Sequence, residues 1–334
     1  MGWAAALFLI ACTTACEREP EARPAERFSL LALGDTGVPP GDHDGQAQVA
    51  AALADEDAAN PVDGLVLLGD IFYPNGLERE VLLDRVAHNI VTPYCQFVAA
   101  GPRYGELRGG CPAVASRRTI WAVLGNHDFG VSESPDLQRS VIPEFVSNWH
   151  MNREVAEVVE AAPGVSLILV DTQSLHAGDP ERLGAAVTKA RGPWRILVGH
   201  HPFAAGLGDR DGVGDVTRAA AAAVRAAGVP VQLALSGHEH NLQALVTDFP
   251  SLQIISGGGS GARNLHDEAL ARTFGTERAG FARVALLETE PESLRVELIA
   301  LSRVPWLLPP RRVATYFVSV DGTVSDAAGS RVSR

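Results

Sequence analysis

Positive charge is scarce: 28 lysines and arginines face 40 aspartates and glutamates in 334 residues, a formal net charge of −12. That deficit argues against a nucleic-acid or anionic-membrane surface as the main partner, and an anionic substrate would need local positive charge such as bound metal. Cysteine is nearly absent, at four residues, with no C-x-x-C pair to suggest a redox or zinc-thiolate motif. No serine or cysteine sits in a G-x-S-x-G context, so nothing points to a nucleophile elbow. The Gly-rich stretch SGGGSG at 256–261 lacks the lysine of a phosphate-binding P-loop and reads as a tight structural loop. The apolar run from Trp3 to Ala11 is too short to span a bilayer as a helix. What remains is a globular composition, 46% hydrophobic and 20% charged, with ample material for a core.

The first residues do not belong to the fold. Trp3 to Ala11 resembles a secretory apolar segment, and LIAC ending at Cys12 looks like a bacterial lipoprotein cleavage box, although no Lys or Arg precedes it. By that resemblance Cys12 becomes the lipidated first residue; Cys16, after TTA, fits less well. The acidic, proline-containing EREPEARPAE then reads as a tether, so residues 1–27 form a signal and linker. The chain is expected to be exported, to the bacterial periplasm or cell envelope or by secretion. In such a compartment a disulfide between Cys95 and Cys111, closing a loop rich in Gly, Pro and Arg, is expected over two free thiols.

From Phe28 apolar runs of strand length alternate with helical segments, an α/β pattern. RFSLLAL, DGLVLLGD, RTIWAVLGNHD, GVSLILVD, WRILVGHHP and VQLALSGHEH each carry four to seven apolar residues that stop at Gly or a polar group. GQAQVAAALADEDAAN and GDVTRAAAAAVRAAGV read as helices, the second ending at Gly228. SLQIIS, GFARVALLET and SLRVELIAL alternate more and are expected to be antiparallel and half exposed, and TYFVSVDGTVSD reads as a hairpin turning at Asp321-Gly322. Residues 28–302 form one catalytic unit, and 303–334 a tail.

Nearly every chemically capable side chain lies just after a strand, where α/β sheets gather their ligand sites. GDTG supplies Asp35; GDIFY supplies Asp70 and Tyr73; GNHD supplies Asn126 and His127. VGHHP adds His200 and His201, and GHEHN adds His238 and His240. Imidazoles with hard oxygens and no thiolate suit zinc, iron or manganese. The set exceeds what one tetrahedral ion needs and suffices for two ions sharing a carboxylate, an arrangement that clamps both oxygens of an in-line phosphoryl displacement. A phenolate is a hard anion matched to a trivalent ion, so the site holding Tyr73 should differ from its neighbour. His43, His88, His150, His176 and His266 lie outside the pattern.

The order GDxG, GDxxY, GNHD, GH after an apolar strand, and GHxH resembles the calcineurin-like metallophosphoesterases. The tyrosine places the chain nearest the purple acid phosphatases of the short, tartrate-resistant type, a likeness running from about Phe28 to Leu301 by motif order. The resemblance implies a four-layer αββα sandwich, two mixed β-sheets face to face with helices outside. It implies Fe(III) held by Asp35, Tyr73 and His240, with Asp70 bridging to a divalent Zn, Fe or Mn held by Asn126, His200 and His238. The implied activity is hydrolysis of small phosphomonoesters by direct attack of metal-bound hydroxide, with no nucleic acid and no obligate protein partner.

His127 would hydrogen-bond the phosphate or protonate the leaving oxygen, or else support its loop, while Asp128 would orient or cap. The family commonly has another catalytic histidine in the loop after the metal-binding one, and HPFAAGLGDRDGVGD contains none beyond His201. His201 is therefore a second catalytic candidate, either facing substrate or packing against Pro202, and Asp209, Arg210 and Asp211 would shape the mouth. Leu197 stands where the family usually has Val, an apolar exchange. A phosphodiesterase or nucleotidase on the same core is the rival enzyme reading; a surface lipoprotein that binds metal or a partner without turnover is the rival outside enzymes.

Overall fold

A computed structural model describes residues 24–41, 45–108, 111, 116–176, 180–203, 213–265, 273–304 and 307–333. Cys12, Cys16, most of the tether, His43, the 209–211 loop and His266 lie outside the described residues.

The strands in chain order are β1 (Glu26–Leu33), β2 (Gly64–Leu67), β3 (Thr119–Ala122), β4 (Trp149–Met151), β5 (Ala156–Ala162), β6 (Val165–Val170), β7 (Trp194–Val198) and β8 (Leu233–Ser236). They continue with β9 (Leu242–Val246), β10 (Leu252–Ser256), β11 (Phe274–Thr276), β12 (Gly280–Leu287), β13 (Ser293–Ala300), β14 (Arg311–Ser319) and β15 (Val324–Asp326). One sheet runs β15-β14-β13-β12-β1-β2-β3-β4 and the other β11-β9-β10-β8-β7-β6-β5. The centres of both are parallel: β1 to β4 in the first, and β6, β7, β8 and β10 in the second.

Because successive strand residues point to opposite faces, one run of apolar residues supplies two cores. Leu30 and Ala32 of β1 meet Leu167, Ile196, Val198 and Leu235 between the sheets. Leu31 and Leu33 point the other way, onto Val49 and Leu53 of the helix Gly45–Ala59. On the far side Ile168 and Leu197 pack on Leu183, Val187, Val216 and Ala220 from the helices Pro180–Lys189 and Val213–Ala227. The layering is therefore helix, sheet, sheet, helix. The continuous apolar runs reflect strands covered on both faces.

The alternating strands β12 and β13 are antiparallel, whereas SLQIIS forms β10, parallel to β8 and antiparallel to β9, and the expectation of a half-exposed face fails for all three. Every residue of β12 and all but Ser293 of β13 is buried. Their polar face lies beneath an ion network: Arg283 donates to Glu26 (2.6 Å) and to the Asn60 carbonyl (2.8 Å), and Arg312 bridges Glu297 (2.7 Å) and Glu56 (2.6 Å). The expected hairpin forms between β14 and β15 with Gly322 at φ 86°, and β14 also pairs along β13, extending the first sheet. Cys95 and Cys111 are bonded, and closing a loop of 16 residues contributes about 3 kcal/mol on a chain-entropy estimate. No helix among the described residues is long and apolar enough to cross a membrane.

Candidate metal centre

The two sheets converge at the carboxyl ends of their parallel strands. Gly34 N–H, just past β1, donates to Ser256 O at the end of β10 (2.8 Å), and the Ser256 hydroxyl donates to Ala32 O (2.9 Å). His200 Nδ1 donates to Leu68 O (2.8 Å), tying the loop after β7 to the end of β2. Loops from both sheets are therefore joined directly at their strand ends.

Three residues there adopt left-handed backbone: Asp35 (φ 59°), Asp70 (φ 53°) and His238 (φ 70°). Such conformations cost about 1 kcal/mol or more each, and they cluster where function constrains the chain. Hydrogen bonds hold them. Asp35 N–H donates to Gly69 O (3.0 Å), Asp35 Oδ2 accepts from His238 N–H (2.8 Å), and Asp70 Oδ1 accepts from His127 N–H (2.9 Å). Gly125 is required by crowding, since a Cβ there would lie 2.2 Å from Asp70 Oδ1. Gly37 has the same constraint, because a Cβ would come within 2.4 Å of the Ile71 carbonyl carbon.

The seven predicted ligands meet as two overlapping groups. In the first, Tyr73 Oη lies 3.0 Å from Asp35 Oδ1, 2.9 Å from Asp70 Oδ2 and 3.0 Å from His240 Nε2. In the second, Asn126 Oδ1 lies 3.0 Å from His200 Nε2 and 3.2 Å from His238 Nδ1, and Asp70 Oδ2 lies 3.5 Å from His200 Nε2. Asp70 Oδ2 belongs to both. Two donors bound to one ion at about 2.1 Å stand roughly 3.0–3.4 Å apart, which is the observed spacing.

The chemistry of these atoms calls for cations. With its Nδ1 proton committed to Leu68 O, neutral His200 turns a bare Nε2 lone pair toward the Asn126 oxygen. Such a fixed tautomer is the usual preparation of a metal-binding imidazole. Burial, then the positive charge of His238, keeps the His200 pKa well below the usual imidazole value, and burial followed by the Arg263 charge holds His240 at about 4. Asp35 and Asp70 are 0% and 2% exposed, and among the described residues neither has a Lys or Arg within ion-pair distance. Burial above all, with the Asp70 charge second, raises the Asp35 pKa well above the carboxylate range; burial likewise raises Asp70. Burial and these two carboxylates push the Tyr73 phenol upward. Histidines that resist protonation, beside carboxylates and a phenol that resist ionisation without positive charge, fit two bound ions; among the described residues Asp35, Asp70 and His200 keep their donor atoms within 4.8 Å of one another.

His127 and Asp128 separate in role. His127 is partly exposed, with its ring edge-on to Tyr73 at 4.7 Å between centroids; Nδ1–H donates to Pro74 O (2.7 Å), leaving Nε2 as its uncommitted nitrogen. Asp128 is fully buried and accepts from the N–H groups of Ile71 (3.2 Å), Phe72 (3.2 Å) and Gly125 (2.9 Å), so it ties two loops together. Burial and the Asp70 charge push its pKa up to about 7.

His201 packs inward. It is 2% exposed, its Nδ1 lies 2.8 Å from Thr172 Oγ1, and its ring packs 4.6 Å from that of His238. Thr172, at the end of β6, also accepts from His201 N–H (3.1 Å). Thr172→Val is therefore expected to weaken binding of the ion at the Asn126, His200 and His238 group by about 10–100-fold, the range for outer-shell changes, with Thr172→Ser restoring it. Calorimetric metal titration checks this.

Sequence reading missed Thr172 because a threonine after a strand carries no metal signal, and it missed Arg85 for a similar reason. Arg85, 9% exposed in a short helix, donates to Tyr73 O (3.0 Å), Gly37 O (2.9 Å) and Asn89 Oδ1 (2.8 Å). It clamps the loop that presents Tyr73.

A four-layer sandwich with a two-ion donor cluster at its convergent strand ends defines a metallophosphoesterase. The chain belongs to the calcineurin-like phosphoesterase family, whose sequence model matches residues 28–242. No curated protein matches it in sequence. Among solved structures it is similar to GAP50, the anchor in the inner membrane complex of Plasmodium, at 16% identity over 86% of this chain and 89% of that one, TM-score 0.62. It is also similar to PhoD, at 12% identity over 93% and 72%, TM-score 0.57. These likenesses speak to the fold.

Proposed function

We propose that the protein is an exported phosphomonoesterase of the purple acid phosphatase kind, with Fe(III) at Asp35, Asp70, Tyr73 and His240 and a divalent Zn, Fe or Mn at Asp70, Asn126, His200 and His238. The observation that carries this reading is the position of Asp70 Oδ2, 2.9 Å from Tyr73 Oη and 3.5 Å from His200 Nε2, shared by both donor groups. When bound, the two ions would neutralise phosphate charge and make water acidic enough to supply a nucleophile near neutral pH. Asn126 and His238 lie on one side of the shared Asp70 carboxylate and Tyr73 on the other. His127, with Nε2 uncommitted, is placed to hold the proton that the leaving oxygen takes up. The leader supports lipid attachment at Cys12 and a cell-envelope location, with residues 28–302 as the catalytic unit.

GAP50 is described as an anchor, and a surface lipoprotein that binds without turnover is the competing reading. The complete donor set in this chain favours catalysis. Metal analysis with an ester panel decides among the readings. Two ions per chain with release of nitrophenol from the mono- but not the bis-ester is expected; the reverse preference means a phosphodiesterase, and no turnover means a binding protein. The iron assignment predicts a visible absorption band that Tyr73→Phe abolishes. A colourless protein carrying only zinc would sink that part of the proposal.

A further inference from the structure

The rim of the metal centre holds an arginine that the donor set does not use. Arg263 lies in the loop after β10, and that loop is fastened to the site at successive points. Gly257 N–H donates to Asn241 O (3.1 Å), Gly259 N–H to Gly34 O (3.1 Å), the Ser260 hydroxyl to Asp35 O (2.5 Å), and Arg263 N–H to His240 O (2.6 Å). The last bond joins its backbone directly to a predicted ligand. The side chain is exposed, and among the described residues no carboxylate stands within ion-pair distance of it. The backbone bond to His240 sets this exposed arginine at the rim of the donor cluster.

A guanidinium with no carboxylate among the described residues to pair with, held beside the proposed metal centre on a chain of net charge −12, is suited to bidentate capture of a phosphate or carboxylate. The two-ion cluster already provides for the scissile phosphate; Asp35, Asp70 and His200 are buried, Tyr73, Asn126, His238 and His240 are half-buried, and Arg263 is exposed. We infer that Arg263 binds a second anionic group of the substrate, so that preferred monoesters carry a further phosphate or carboxylate beyond the one removed. This rests on the phosphoesterase reading above.

The test compares propane-1,3-diol bisphosphate with the monophosphate of the same diol, on the metal-loaded full chain. Arg263→Ala is expected to raise KM for the bisphosphate about 10–100-fold, the worth of a charge-assisted hydrogen-bonded pair, with kcat within about twofold. The monophosphate should change by less than about threefold, and Arg263→Lys should recover part of the loss. Calorimetric binding of methylenediphosphonate should weaken in parallel, while inorganic phosphate binding is retained. Equal losses on both substrates, or no change on either, overturn the inference. A wild-type chain that hydrolyses neither ester defeats the phosphoesterase reading instead, and the methylenediphosphonate arm then still decides whether Arg263 takes a second anion.

Discussion

Asp70→Asn is expected to lower kcat/KM by on the order of 10³-fold or more and to reduce bound metal below two ions per chain, while leaving the fold intact. The carboxylate oxygen between the two donor groups is the single atom both ions would share, and two-ion stabilisation of phosphoryl transfer is worth several kcal/mol. Asparagine preserves shape, and its one carbonyl oxygen lacks the charge to bridge. A second signature belongs to the metal-free protein. The folded-state pKa of Asp70 is raised by burial, so its ionisation opposes folding. Its stabilising contribution is fully present below the ordinary carboxylate value of 3.8 and is lost as pH rises through the folded value. Metal-free Asp70→Asn should therefore lose less stability than metal-free wild type between acid and neutral pH, and metal should raise Tm far more in wild type. Urea unfolding with and without chelator reads both effects. Unchanged activity with two ions still bound would remove Asp70 from the centre.

Arg283→Met is expected to destabilise the protein by about 3–5 kcal/mol, seen as a lower urea midpoint with little change in slope. Arg283 is 1% exposed on β12 and faces Glu26, Glu56 and Glu297, with Arg295 and Arg312 completing the network. Removing this guanidinium leaves only Arg295 and Arg312 to offset three carboxylates, Glu297 buried and Glu26 and Glu56 half-buried, and that charge imbalance costs more than the lost hydrogen bonds. Activity at temperatures well below the unfolding midpoint should be retained, because the network lies on the outer face of the sheet, away from the convergent strand ends. A loss under about 1 kcal/mol would show that water or neighbouring charge compensates.

The same network shows where reading by pattern stops. Alternation in GFARVALLET and SLRVELIAL correctly marked antiparallel strands with one apolar face, since period two is a local property. Whether the other face meets solvent is not local. Arg283, Arg295 and Glu297 are buried because Glu26, from β1, and Arg312, from β14, close over them. β5 was missed for a related reason. AEVVEAA contains residues that favour helices, and it is held as an edge strand by its ladder to β6. The donor residues were legible because each follows an apolar strand and ends in a Gly-polar step, as Asp35, Asp70, Asn126, His200 and His238 all do.

By itself the sequence determined which strands are apolar on both faces, where those runs stop, and which side chains stand at their ends, because strand length, apolar content and glycine breaks act over a few residues. Only the tertiary structure decided that Asp70 Oδ2 belongs to two donor groups, that His201 turns inward to Thr172, and that Arg85 and Arg263 frame the centre. Those facts arise where the two sheets converge. Atoms more than a hundred residues apart in the chain are brought within hydrogen-bond distance there by two cores packing at once, as between Leu68 and His200.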